Sequence, residues 1–177
     1  MRCVSDIINN INNLELVLVL ESPFKDELIH NHPLAGKSGQ EVTNYIKNHV
    51  SSKSVLRTFT MPMGCELIRT KFSKLGIVNC SLWPLDKKCY PCELKQKRNK
   101  TVDSFNLIRT TPLSITRKNN IDNRVEMFLV RGFIRRIDNI VQKQPNVVFV
   151  PCGDLADKFL SKCNLGQNNL IGKIPHP

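Results

Sequence analysis

A chain of 177 residues suits one domain built on a single hydrophobic core and leaves no room for a second full domain. Lysine and arginine exceed aspartate and glutamate by 26 to 15, a formal charge of +11, so a polyanion is the expected partner, with DNA or other nucleic acid first and a merely solvated basic surface as the plain alternative. The longest apolar run, 16–20, is too short to span a bilayer and the Asn-rich start is no signal peptide, which points to a soluble, cytoplasmic protein with no membrane association and no obligate protein partner.

In chain order, 4–11 reads as a short leading helix and 14–20, rich in Val and Leu, as a buried strand that empties into Glu21-Ser22-Pro23. Helical pattern resumes near Gln40 with Val42, Tyr45, Ile46 and Val50, and again over 65–74 with Leu67, Ile68 and Phe72. The run LGIVNCSLW, 75–83, is a second strand, with Asn79 where that strand ends. From 86 to 120 nine Lys or Arg stand against three Asp or Glu with little periodicity, the profile of a basic insertion or long surface loop. Asn123 and Glu126 resemble a capping box, and Val125, Leu129, Phe133, Ile137 and Ile140 form the stripe of a helix reaching about Lys143. NVVFVP, 146–151, is a third strand, a short helix carries Leu155, Phe159 and Leu160, and 170–174 is a fourth strand. Alternation of strand and helix predicts an α/β fold with a parallel sheet covered on both faces.

Active sites of open α/β sheets lie at the carboxyl ends of the strands, which draws attention to 21–39. That stretch holds Glu21, Asp26, Glu27, His30, His32, Gly36 and Gly39. Gly36-Lys37-Ser38 imitates the end of a phosphate-binding P-loop, but Asn31 stands where that motif demands its first glycine. His30 and His32, two histidines in a polar stretch, are read as solvent-facing and incidental. The seven cysteines are scattered and odd in number, so reduced thiols are expected. Cys89 and Cys92 have the spacing of a metal knuckle with no second close pair, so no metal is expected.

The segments ESPF at 21–24, PLAGKSG at 33–39, VNCSLWP at 78–84, VVFVPCG at 147–153 and PHP at 175–177, in this order, resemble the motifs of the uracil-DNA glycosylase superfamily. The resemblance spans nearly the whole chain and implies a three-layer α/β/α sandwich around a four-stranded parallel sheet. It implies a monofunctional DNA glycosylase that hydrolyses the N-glycosidic bond of uracil or a hypermodified cytosine without cofactor, a chemistry suited to defence against phage DNA. Glu21-Ser22-Pro23 falls on motif 1, but Ser22 stands where several branches carry the group that positions water. Glu21 therefore becomes the expected catalytic carboxylate, with Asp26 or Glu27 in reserve, and His176 the group facing the leaving base. Ser22, Phe24 and Asn79 are expected at the base. Gly36, Lys37, Ser38 and the cluster Lys87, Lys88, Lys95, Lys97, Arg98 and Lys100 are expected on DNA. A catalytically silent nucleic-acid-binding module and a metal-dependent phosphate-acting enzyme are the rival readings.

Overall fold

The computed structural model describes residues 3–91, 99–111 and 120–177. Strands β1 (Leu16–Leu20), β2 (Leu75–Asn79) and β3 (Val148–Pro151) form one parallel sheet in the order β2-β1-β3. Each is an almost unbroken apolar run, as strands covered on both faces require. Six α-helices accompany them among the described residues: α1 (Lys25–His30), α2 (Lys37–His49), α3 (Met63–Thr70), α4 (Lys100–Thr110), α5 (Asn120–Lys143) and α6 (Asp154–Leu160).

Register decides which face each side chain serves. Val17 stands opposite Gly76 and Phe149, and Val19 opposite Val78; together with Leu129, Phe133 and Ile137 of α5, Phe105 of α4 and Phe159 of α6 they make one core. Side chains alternate along a strand, so Leu18, Leu20, Ile77 and Val150 point the other way, onto Phe59, Met63 and Leu67 with Val42 and Ile46 of α2 alongside. Helices thus cover both faces of the sheet, as the alternation of elements predicts.

Four expectations change. The fourth strand does not form: 170–174 touches β3 through two isolated parallel bridges, Phe149 to Leu170 and Cys152 to Ile174, and the sheet has three strands rather than four. Leu170, Ile171 and Ile174 stay exposed and Gly172 adds no side chain, so the segment buries too little to hold a continuous ladder. The leading helix at 4–11 is replaced by an extended segment, whose Ile7 exchanges backbone hydrogen bonds with Ile77 at 2.9 and 3.0 Å. The open edge of β2 offers unpaired backbone groups that outcompete a marginal eight-residue helix; only Ile11–Asn13 turns, as a 3-10 helix.

The basic stretch is no simple surface loop. It contains α4, which buries Val102, Phe105 and Ile108 against α5. The last of the four concerns Asn123, which lies inside α5 and does not cap it, since that helix is already formed at Asn120.

Two contacts fix the direction of α5. Gln144 donates to the Asn12 carbonyl at 2.9 Å, ahead of β1, while Arg136 donates to the Asn79 and Cys80 carbonyls at 2.8 and 3.1 Å, where β2 ends. The helix therefore runs antiparallel to the strands, and the residues before Arg136 project past the sheet's carboxyl edge. No helix among the described residues is long and apolar enough to cross a membrane.

Candidate active site

The chain leaves β1 at Leu20, turns through Glu21-Ser22-Pro23, and enters α1 behind Phe24. One carboxylate shapes the path of the backbone from there to α2. Glu27 accepts the Phe24 N–H at 2.7 Å through Oε2 and the Leu34 N–H at 2.6 Å through Oε1, so it ties the start of α1 to the returning loop. Burial pushes the Glu27 carboxyl up, and those two N–H groups, with His176 nearby, offset part of that rise. Leu34 is held at φ 51, in the left-handed region that a bulky residue rarely adopts, and its carbonyl accepts the Gly64 N–H at 3.1 Å.

Between this loop, α2 and the segment after 174 lies a cleft of about 250 Å³. Leu20 and Leu34 are among its apolar lining, Ser22, Asp26 and Glu27 bring polar groups, and Phe24, 47% exposed, presents its ring. Gly36, Lys37 and Ser38 form one wall at the start of α2, whose first turn has no side-chain cap. Its uncapped N–H groups and the positive end of the helix dipole favour an anion there. At Gly36 a Cβ would lie 2.2 Å from Asp26 Oδ2, so the missing side chain is the space the Asp26 carboxylate occupies. Asp26 itself is exposed, and its carboxylate has no hydrogen bond among the described residues.

His176 arrives from the other end of the chain. Gly153, at φ 89, donates its N–H to the Ile174 carbonyl at 2.9 Å, and a Cβ on it would come within 3.1 Å of His176 Cβ. Ser38 Oγ donates to the Pro177 carbonyl at 3.1 Å, and His176 Nδ1 lies 2.8 Å from the same oxygen. His176 and Pro177 thereby join the cleft lining.

Of the residues expected from the sequence, Ser22, Phe24, Asp26, Gly36, Lys37, Ser38 and His176 meet in this one cleft. Ser22 Oγ also accepts the Leu85 N–H at 3.3 Å, which ties the loop after β2 to the cleft. Glu21 goes elsewhere: its Oε1 meets Arg109 Nε of α4 at 2.5 Å, and Arg109 Nη1 reaches Asp86 at 3.2 Å. Asn79 is fully buried beside Leu20 in the sheet, with neither atom of its side-chain amide hydrogen-bonded. An unsatisfied buried amide costs about 1–3 kcal/mol.

Lys87 and Lys88 stand exposed on a 3-10 turn that Asp86 caps, and Lys100 opens α4. Lys95, Lys97, Arg98 and Cys92 lie outside the described residues. The clamp by Glu27 is the main feature that sequence reasoning leaves in reserve; its signal is the spacing of Phe24 and Glu27, the returning half of a capping box without the hydroxyl half. Cys3, Cys65, Cys80, Cys89, Cys152 and Cys163 are free thiols, and no group of three or more His, Cys, Asp or Glu that could hold a metal occurs among the described residues. No protein-family model matches the chain, and none of the curated proteins matches it significantly.

Proposed function

We propose that the chain is a monofunctional DNA glycosylase acting on uracil or a hypermodified cytosine. The observation that carries this reading is the cleft itself, where an exposed carboxylate, a histidine, an aromatic ring and an uncapped helix start converge at the carboxyl edge of a parallel sheet. Breaking an N-glycosidic bond builds positive charge on the sugar and negative charge on the departing base. Asp26, and not the Arg109-bound Glu21, is the carboxylate available to a water in the cleft. It takes the water's proton as the water oxygen bonds to C1′, and the bond from C1′ to the base nitrogen breaks with its electron pair leaving on the base.

His176 and the first N–H groups of α2 face that anion and favour its departure. Phe24 offers a flipped base a stacking face, at the cost of a few kcal/mol for unstacking it from the duplex. Glu27 acts at one remove, by fixing the backbone on either side of Asp26. Asn79 is fully buried behind Leu20 and outside the cleft lining, so its role at the base's polar edge requires Leu20 and its neighbours to give way as a base enters.

The test is release of base and formation of abasic sites from single strands and duplexes carrying uracil or enlarged cytosines, with EDTA present. Release is expected to persist in EDTA, to fall by roughly 10²–10⁴ in Asp26→Asn, the usual contribution of a positioned base, and to survive in Glu21→Ala. No release from any substrate would leave a silent binding module, and loss on chelation would favour the metal enzyme.

A further inference from the structure

The outer face of α5 carries a stripe that neither the core nor the cleft uses. Arg124, Phe128, Arg131, Gly132 and Arg135 follow at helical spacing, all exposed, along a groove of about 340 Å³. None of the three arginines has an ion pair among the described residues. Phe128 is 60% exposed and leans on Trp83 with ring centroids 5.5 Å apart. This is a cationic track with an aromatic face in its middle.

Gly132 is the informative residue. Glycine is the poorest helix former after proline, yet a Cβ at 132 would meet nothing within 4 Å, so packing within the chain does not require it. Gly36 is the contrast, since a Cβ there collides with Asp26. The missing side chain at 132 deepens the groove between Phe128, Arg131 and Arg135, where an incoming ligand can approach the helix backbone.

Position adds the second argument. The stripe precedes Arg136, which sits at the end of β2, so it projects past the edge on which the cleft opens. The loop after β2 connects the two, with Trp83 against Phe128 and the Leu85 N–H on Ser22. The arginines spread over roughly 16 Å of helix axis, the reach of a strand segment and not of one isolated anion.

We propose that this face holds single-stranded DNA, phosphates on Arg124, Arg131 and Arg135 and one unstacked base on Phe128, flanking the nucleotide in the cleft. The choice of DNA rests on the glycosylase reading; the basic-aromatic chemistry of the face does not.

Binding of a fluorescein-labelled 20-nucleotide oligothymidylate and of a 20-base-pair duplex to the full chain, titrated at several KCl concentrations, tests it. Joint replacement Arg124→Ser, Arg131→Ser and Arg135→Ser is expected to weaken oligothymidylate binding at least tenfold. It should also flatten the slope of log K against log salt by about 2, near 0.7 for each lost phosphate contact on a single strand. The same charge removed at Lys53, Lys143 and Lys162 should leave that slope unchanged. Phe128→Ala should weaken binding roughly tenfold, the effect of losing one stacked base. Gly132→Leu should weaken it while thermal stability holds or rises, a combination that a structural role would not produce.

Wild-type binding in the arginine and Phe128 variants overturns the proposal, as does equal competition by polyglutamate, or a duplex preference indifferent to Phe128→Ala. Base release with no dependence of DNA binding on α5 would remove the groove and keep the glycosylase. Binding that depends on α5, with no base released from any substrate, would keep the groove and remove the glycosylase.

Discussion

At Gly36 the backbone is extended, at φ −105, so any residue could adopt it, and the constraint is Asp26 Oδ2 in the space of the absent Cβ. Gly36→Ala should therefore leave Tm within a few degrees of wild type while turning the carboxylate aside, with base release falling by about tenfold or more, as small misplacements of catalytic groups do. A thermal melt and a single-turnover assay separate the two effects. Asn79 supports the converse prediction. Asn79→Leu replaces an unsatisfied buried amide with an apolar group of the same branched shape and should stabilise the fold by about 1–2 kcal/mol, while base release drops. Urea unfolding beside the release assay checks both directions. The residue types at these sites are legible in the sequence, because carboxylates, glycines and a histidine cluster at strand ends; the choice between Glu21 and Asp26 is not. Arg109 decides it, from 88 positions away in the chain.

At the scale of elements, α4 is the correction with consequences. Its buried residues Val102, Phe105 and Ile108 recur only every third position among polar and charged neighbours, and their apolar face becomes meaningful only against α5. Strands β1, β2 and β3 and helix α5 are legible for the opposite reason: their apolar patterns are continuous or regular enough to need no partner in view. The extended segment at 4–8 has a helical spacing of Val4, Ile7, Ile8 and Ile11, and is overruled by the free edge of β2. If α4 belongs to the core, Ile108→Ala should cost about 2–5 kcal/mol, the usual range for a fully buried large-to-small change, measured by urea denaturation. A detachable surface loop would show almost none of that loss. Arg109→Ala should cost less, about 1 kcal/mol for a half-exposed ion pair.

For the molecule as a whole, Glu66 supplies a part of the stability that acid removes. Its side chain is fully buried, and although burial pushes its carboxyl up, the Met61 and Thr60 N–H groups and Arg69 outweigh that and hold it below the ordinary 4.5. The unfolded chain then binds this proton more readily than the folded one. The stabilisation is complete above about 4.5 and is lost as pH falls through the lower folded value. Glu66→Gln should accordingly lower Tm most at neutral pH and progressively less as pH falls below about 4.5, read from melts across that range.

The segment 4–8 also bears on solubility. A sheet of three strands has two edges, and in this fold both are occupied: one by Ile7 on β2, the other by 170–174 on β3. Asp6 pins the first of these covers, accepting the Asn79 N–H at 3.1 Å and pairing with Arg136 at 2.6 Å. Exposed strand edges recruit other chains. Losing that pin should therefore appear as self-association more than as lost folding: Asp6→Ala is expected to scatter light and elute early at concentrations where the wild-type chain does neither.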